Sequence, residues 1–154
     1  MATTPFVLVQ RPALYPHSQM VNDTPVKTVS GIFDGAAVAA YKGSAVALND
    51  VAQIISIPAG AFVLTVACKV TTVEGGACTF DVGDGATVDG YLDGVDGNTS
   101  ADVQSFTADT TEAFGAGKLY TAADTIDVKL ITGTAAAVVA KVSATYIMTT
   151  PLVS

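Results

Sequence analysis

The amino-acid sequence predicts an all-β protein: one antiparallel β-sandwich domain over residues 26–154, preceded by an extended arm over residues 1–25. Three observations lead to this prediction. Apolar residues recur at every second position from Val26 onward, as in strands with one buried face. Gly-rich turns separate these runs, and no segment has the capped 3.6-residue periodicity of an amphipathic helix. A chain of 154 residues has the size of one domain and can bury a core without disulfides or metals.

The clearest alternation lies in two neighbouring runs, 61–73 and 78–82. Polar residues such as Lys69 and Asp81 occupy one set of positions in these runs, and apolar residues occupy the other. The Gly-rich turn Glu74-Gly75-Gly76 between them predicts a β-hairpin. The residues expected on its buried faces are Phe62, Leu64, Val66, Cys68, Val70, Cys78, Phe80 and Val82.

A second hairpin is predicted from the runs 125–132 and 136–149, joined by Gly133-Thr134. The segment 93–117 is expected to be a long irregular excursion anchored by Phe106 and Phe114. Seven or eight short strands indicate a sandwich or barrel, and we favour a jelly roll. The buried positions expected in the second hairpin are Ile126, Val128, Leu130, Val138, Ala140, Val142, Ala144, Tyr146 and Met148, and the further strand candidates are 26–33, 46–48, 51–57 and 87–92.

The N-terminal arm combines prolines with apolar side chains. Pro5, Pro12, Pro16 and Pro25 exclude a regular helix and remove hydrogen-bond donors that a central strand would need. The apolar content is too high for a solvated tail, so we expect the arm to pack on its own domain, on a neighbouring subunit or on a larger scaffold. The candidate interface residues are Phe6, Val7, Leu8, Val9, Leu14 and Tyr15.

The net charge of −7 is concentrated in the middle of the chain. Residues 46–115 contain ten acidic side chains and one basic side chain, Lys69, whereas the segments on either side are almost neutral. An acidic middle repels phosphate, so we predict that the chain binds no nucleic acid. We also predict no membrane partner and no export signal, because no apolar run reaches about 18 residues and no cationic stretch precedes an apolar one.

The acidic, Gly-rich segment 81–90 is the strongest candidate for a metal site. It lacks the ligand spacing of an EF-hand calcium loop and the Glu at its twelfth position. We interpret it as turns, with a bound divalent cation as the alternative, because Asp-Gly is a turn dipeptide. The same interpretation covers every Asp-Gly pair in the chain, at 34–35, 84–85, 89–90, 93–94 and 96–97.

The remaining candidate sites do not predict a catalytic or ligand-binding role. Gly115-Ala-Gly-Lys118 lacks the first Gly and the Ser or Thr that a phosphate-binding loop requires, so we interpret it as a turn. Cys68 and Cys78 are expected to be buried thiols, although their inward positions would also permit a disulfide. His17 is the only histidine, and no nucleophile elbow accompanies it. We therefore predict no catalytic residue, no metal ligand and no cofactor.

Turn and strand patterns recur at 57–60, 70–72, 75–85, 89–92, 123–130 and 133–135. Over roughly residues 50–148 they resemble those of tailed-bacteriophage capsid decoration (cement) proteins. The resemblance implies a jelly-roll fold, a homotrimer and a position on the outer surface of the virion, with the major capsid protein as partner. It also implies a protein made in the host bacterial cytoplasm, and it carries no catalytic residues. The matching segments are Ile57-Pro-Ala-Gly60, Val70-Thr-Thr72, the Gly-rich run 75–85, Asp89-Gly-Tyr-Leu92, the strand Ala123–Leu130 and the turn 133–135.

Other functional classes remain open at this point. A different virion component, such as a tail tube, baseplate or fibre base, would also use a β-sandwich. A carbohydrate-binding module would need a flat strip of exposed aromatic side chains, whereas the aromatic residues here mostly fall on buried positions. An enzyme is disfavoured, because no grouping of nucleophile, base and orienting acid can be identified.

Overall fold

The structure is a computed structural model, and it describes residues 7–9, 26–99, 103–105 and 112–149. Within these residues it contains ten strands and one short helix. In chain order the elements are β1 (Val7–Val9), β2 (Val26–Asp34), α1 (Gly35–Lys42), β3 (Val51–Ile57), β4 (Ala61–Thr72), β5 (Cys78–Gly83), β6 (Leu92–Asp96), β7 (Val103–Ser105), β8 (Lys118–Leu119), β9 (Asp124–Gly133) and β10 (Val139–Met148).

Two sheets form the two layers of the molecule. Sheet A has the strand order β1-β3-β9-β5-β6, and sheet B has the order β2-β10-β4-β7, with β8 also pairing with β4. The described strands pair antiparallel, except that β1 lies parallel to β3. The predicted all-β, antiparallel sandwich is therefore confirmed.

The two inward faces share one hydrophobic core. Phe33 of sheet B packs against Phe80 of sheet A with ring centroids 5.5 Å apart. The alternation predicted for β5, β9 and β10 is correct, since their inward positions are buried. The largest fully buried side chains are Tyr91, Phe33, Phe80, Ile57, Ile126, Leu130, Val63, Val66, Val82, Val95 and Val128.

Both predicted hairpins are wrong. The segment between β4 and β5 crosses from sheet B to sheet A, and the segment between β9 and β10 crosses back. The error has a physical cause: a strand keeps the same buried side whether its successor pairs with it or faces it across the core. Alternation therefore predicts which residues point inward, but not which sheet a strand joins.

The two crossings are held together by one carboxylate. Glu74, in the first crossing, accepts backbone hydrogen bonds from Ala136, Ala137 and Val138 in the second, at 2.8–3.0 Å. The hydroxyl of Thr134 donates a further bond of 3.0 Å. Burial acts to raise the pKa of Glu74, but these hydrogen bonds hold it below its ordinary value. The turn expected at 74–76 is thus part of a contact between distant segments.

Helix α1 was not predicted, and Asp34-Gly35 is not the turn that its dipeptide suggested. Asp34 is the N-cap, accepting a 3.1 Å hydrogen bond from the backbone of Ala37. Gly43 ends the helix in the left-handed conformation, with φ of 76°. Both capping signals are therefore present in the sequence. The helix lacks a visible apolar stripe, because Gly35 and Val38 are its only buried residues.

Four smaller predictions are also corrected. A bulge in the pairing of β4 with β10 turns the predicted inward residue Leu64 outward, and Val63 is buried instead. Residues 46–48 form a loop, and residues 87–91 form turns rather than a strand. The segment 93–117 is not wholly irregular, because it contains most of β6 and all of β7. Phe106, one of its two predicted anchors, lies outside the described residues.

Candidate functional site

A buried carboxylate organises the acidic, Gly-rich loop that follows β5. Asp84 is 0% exposed, and its Oδ1 accepts backbone hydrogen bonds from Ala86 and Thr87 at 3.0 and 2.9 Å. Its Oδ2 accepts bonds from Lys118 and from the hydroxyl of Tyr120, the latter at 3.1 Å. Both oxygens are therefore committed to contacts within the protein. This pattern is that of an Asx turn, as the Asp-Gly dipeptide predicts here.

Aromatic rings complete this network. The ammonium group of Lys118 lies 4.0 Å from the ring centroid of Phe114 and 4.8 Å from that of Tyr120. The hydroxyls of Tyr91 and Tyr120 are 2.9 Å apart. Burial acts to raise the pKa of Asp84, but the hydrogen bonds from Lys118, Thr87 and Ala86 hold it below its ordinary value. The network is satisfied internally, and it joins the loop after β5 to the turn before β8.

Two further carboxylates are buried on the outward side of sheet A. Gly83 lies beside Asp127 in the register, and the following loop folds directly onto it: a Cβ at position 83 would lie 2.0 Å from the carbonyl oxygen of Thr87. Burial raises the pKa of Asp127 to about 6, opposed by the hydroxyl of Thr125, 2.6 Å away. The carboxylates of Asp124 and Asp84 raise this pKa further.

Asp81 has a similar position two pairs further along the ladder, opposite Lys129. Its Oδ1 accepts a 2.9 Å hydrogen bond from the backbone of Gly94. Burial raises the pKa of Asp81, the bond from Gly94 lowers it, and the nearby Asp93 and Asp89 raise it again. Sheet A therefore carries carboxylates that repel one another at neutral pH. Among the described residues, no group of three or more His, Cys, Asp or Glu side chains could hold a metal ion.

The strands of the two sheets differ in charge. Sheet B contains one aspartate, Asp34, whose carboxylate caps α1, and sheet A contains one lysine, Lys129. The aspartates of sheet A are Asp81, Asp93, Asp96, Asp124 and Asp127, and the lysines of sheet B are Lys27, Lys69, Lys118 and Lys141. The strands of sheet A are thus acidic and those of sheet B mostly basic.

The N-terminal arm contributes one described element, strand β1. Val7, Leu8 and Val9 pair in parallel with Val51–Gln53 of β3, at the edge of sheet A. The other candidate interface residues, Phe6, Leu14 and Tyr15, lie outside the described residues, as does His17. The arm therefore reaches the sandwich through backbone pairing, which is a property that apolar content alone did not predict.

The cysteines occupy buried positions in opposite sheets. Cys68 lies on β4 and Cys78 on β5, and both are free thiols. Burial raises the pKa of Cys68 to about 12. Burial, followed by the charges of Glu74 and Asp96, raises the pKa of Cys78 to about 11. Thiols with such pKa values are poor nucleophiles at neutral pH, as expected for packing residues.

Four surface depressions among the described residues bring together no His or Cys side chain with an acid. One of about 600 Å³ is lined by Gln53, Ser56, Pro58 and Thr125 together with Asp124, its single ionisable side chain. No helix within the described ranges is long and apolar enough to cross a membrane. The features that distinguish this molecule are therefore the outward faces of its sheets and the arm strand. Sequence reasoning missed the Asp84–Lys118 contact, because nothing local links residues 34 positions apart.

Comparison with known proteins identifies relatives by structure alone. The sequence matches no protein-family model and no curated protein. A chain in the capsid of Ralstonia phage GP4 has a TM-score of 0.59 and 19% identity, over 82% of this chain and 86% of that chain. A chain in the capsid asymmetric unit of cyanophage Pam1 has a TM-score of 0.57 and 20% identity, over 90% and 94%.

A third similar chain comes from the acidic stable capsid structure of Helicobacter pylori bacteriophage KHP30. Its TM-score is 0.51 and its identity 14%, over 81% of this chain and 89% of that chain. At sequence identities of this size the comparison shows a shared fold, but it does not show the role of any residue. The chain thus shares the fold of chains that occur in the capsids of three bacteriophages.

Proposed function

We propose that this chain is a non-enzymatic structural component of a phage particle, which decorates and stabilises the outside of the capsid as a homotrimer. The observation that carries the proposal is the likeness to capsid chains over almost their whole length, from 86% to 94% of each. The partner proposed is the major capsid protein, without nucleic acid or membrane.

The strand order supports the jelly-roll topology that the sequence suggested. Without β1 and β8, eight strands form two four-stranded sheets, with the first strand next to the last in sheet B. Most successive strands lie in opposite sheets. Such a sandwich is stiff, because most of its connections join one sheet to the other. Stiffness suits a part that adds binding energy across subunit boundaries.

The charge distribution supports an outward position for sheet A. Of the five aspartates in its strands, Asp93 and Asp96 are exposed and Asp124 is partly exposed. A surface of one sign keeps crowded particles apart in solution. A protein that binds the assembled shell but not its separated subunits stabilises the shell by mass action. Three copies joined in a trimer would strengthen weak individual contacts through their high effective concentration.

The arm is the proposed element for subunit exchange or shell attachment, through Phe6, Val7, Leu8, Val9, Leu14 and Tyr15. The pairing of β1 with the edge of β3 supports this proposal. Ladder hydrogen bonds depend on backbone and not on side chains, so a neighbouring copy could supply the same strand at little cost in free energy.

The copy number in purified particles tests the proposal. Quantitative mass spectrometry is expected to find this chain in hundreds of copies, in a constant ratio to the major shell protein. A few copies per particle would instead support a tail tube, baseplate or fibre base. Complete absence from particles would refute a virion role, and binding to sugars would then become the next measurement.

Truncation tests the arm. Deleting residues 1–20 removes β1 and is expected to leave the sandwich folded, while weakening trimerisation, binding to undecorated shells, or both. Deleting residues 1–5 is the matched control, because it keeps β1 and should behave as the full chain. Mass determination by size exclusion with light scattering, together with shell binding, provides the readout. Equal behaviour of all three proteins would contradict the proposed role of the arm.

A further inference from the structure

Sheet B has a row of apolar side chains on its outward face. Register places Val26 of β2 opposite Ile147 of β10, Ile147 opposite Phe62 of β4, and Phe62 opposite Leu119 of β8. Val26 is 50% exposed and Leu119 47% exposed, while Ile147 and Phe62 are partly exposed. This apolar row spans four strands, about 14 Å at the usual spacing of strands.

The same face carries two lysines side by side. Lys141 of β10 lies directly opposite Lys69 of β4, and both are exposed. Like charges opposite each other on neighbouring strands destabilise a sheet. Apart from the capping Asp34, the strands of sheet B contain no acid to offset them. This lysine pair would be relieved by carboxylates on a partner.

Small hydroxyl side chains occupy the space between the apolar row and the lysine pair. The hydroxyls of Thr28 and Thr145 lie 3.1 Å apart, and Ser30 and Ser143 are the next pair along the strands. Six residues separate Ile147 from Lys141, which corresponds to about 20 Å along a strand. The apolar row thus lies at one end of the face and the lysine pair at the other, where Ile32, 44% exposed, lies opposite Lys141.

We propose that this outward face of sheet B is the surface through which the chain docks on the capsid shell. The shell surface that fits it has an apolar patch opposite the apolar row and carboxylates about 20 Å away, opposite the lysine pair. This inference rests on the proposed function and adds the orientation: sheet B faces the shell, and the acidic sheet A faces the solvent.

A second copy of this chain fits the face less well. Another sheet B would match the apolar row but would offer no acid for the lysine pair. Another sheet A would offer acids but no apolar match, because none of the exposed large hydrophobic residues described lies in its strands. Neither sheet of a second copy supplies both chemistries, which favours a different protein as the partner.

Two matched pairs of variants test the docking face on shells purified from particles made without this chain. Leu119→Ser, in the apolar row, is compared with Leu48→Ser, which lies in a loop and is 54% exposed. Lys141→Gln, in the lysine pair, is compared with Lys129→Gln, on sheet A. Affinity is measured by co-sedimentation at several salt concentrations, and thermal unfolding confirms that each variant is folded.

The expected result is a loss of about tenfold or more in shell affinity for Leu119→Ser and Lys141→Gln, against about twofold or less for the controls. The loss at Lys141 should shrink as salt rises. Val26→Thr keeps the shape of the side chain and should also lower the affinity for shells. This variant replaces Leu119→Ser in the comparison if Leu119→Ser does not fold.

The failures of the two proposals are distinguishable. If the unaltered chain does not bind shells, the proposed function fails. If it binds and all variants bind equally, the docking face is wrong while the function stands. If Leu119→Ser changes the oligomeric mass but not the affinity for shells, the face is a contact between copies, which also overturns the inference.

Discussion

Sheets A and B contribute to one core, yet they differ in what they present outward. In sheet A, loops and neighbouring strands bury two carboxylates, Asp81 and Asp127, and the strands carry a negative charge. In sheet B, the outward face is open, with an apolar row and the lysine pair. Packing constrains the inward positions of both sheets, so the two sheets differ mainly at their outward positions. The outward positions are therefore where the two sheets can differ in what they bind.

One contact crosses from the basic sheet into the acidic one. Lys118, from β8 beside sheet B, reaches Asp84 in the loop after β5 of sheet A. The contrast between the sheets is therefore not complete, since one lysine is used internally to neutralise one buried acid. Variants of the Lys118–Asp84 contact and of the shared core therefore test the comparison of the two sheets.

The largest effect is expected at the shared core. Phe80→Ala removes a ring that is 0% exposed and contacts Phe33 of the other sheet, so it should lower the free energy of unfolding by about 3–5 kcal/mol. Thr79→Ala is the control on the outward side, where the hydroxyl bonds only to Thr132, and it should cost less than about 1 kcal/mol. Chemical denaturation measures both. Equal losses would mean that the sheets do not share a core as described.

Breaking the contact between the sheets is expected to have the next largest effect. Lys118→Met leaves the carboxylate of Asp84 buried without its cation and should lower the free energy of unfolding by about 3 kcal/mol. The double variant Lys118→Met/Asp84→Asn should recover part of this loss, because no buried charge remains. Urea unfolding of the single and double variants provides the comparison, and an additive double variant would contradict the coupling.

The acidic character of sheet A predicts a dependence of stability on pH. The pKa of Asp127 is about 6 in the folded protein against 3.8 ordinarily, so its stabilising contribution is complete below about pH 4 and is lost as pH rises through 6. The free energy of unfolding should therefore increase as pH falls from 7 to about 4.5. Asp81, whose pKa is also raised, acts in the same direction.

Asp127→Asn isolates this effect, because the amide oxygen can still accept the bond from Thr125. The variant should be more stable than the parent at pH 7, by about 2 kcal/mol, and its stability should vary less between pH 7 and 4.5. Melting temperatures across this range are the measurement. If the parent protein instead lost stability as the pH falls from 7 to 4.5, the ionised carboxylate of Asp127 would not destabilise the folded protein.

The smallest effect is expected on the open face of sheet B. Leu64 is 38% exposed at the bulge, so Leu64→Ala should change the free energy of unfolding by less than about 1 kcal/mol. Its neighbour Val63 is 0% exposed, and Val63→Ala should cost about 2 kcal/mol. Denaturant titration of the pair decides whether the bulge lies where the structure has it, since simple alternation predicts the reverse order.

Local pattern predicted much of the secondary structure. Strand β3 matches its predicted bounds, and the buried positions of β5, β9 and β10 follow from alternation. The bulge at Leu64 depends on how β4 meets β10, which alternation within β4 does not contain. Helix α1 was missed because its caps, Asp34 and Gly43, surround an Ala-rich stretch with little apolar contrast.

The outward surfaces could be predicted only in part. The excess of acid between residues 46 and 115 was visible in the sequence, and most of it lies in or beside sheet A. The apolar row was not visible, because it joins Val26, Phe62, Leu119 and Ile147 through register between strands. Phe62 was in fact assigned to a buried face. Contacts between distant segments of this kind require the strand order, which periodicity does not provide.

The carboxylate of Glu74 has a consequence for the time course of unfolding. It joins crossings about sixty residues apart, so we expect this contact to form after the four strands that flank the crossings have paired. An interaction made that late contributes little to the rate of folding and mainly slows the reverse step. The contacts of Glu74 are therefore expected to slow unfolding more than they speed folding. For a part proposed to remain on a particle long after synthesis has stopped, lifetime matters as much as equilibrium stability.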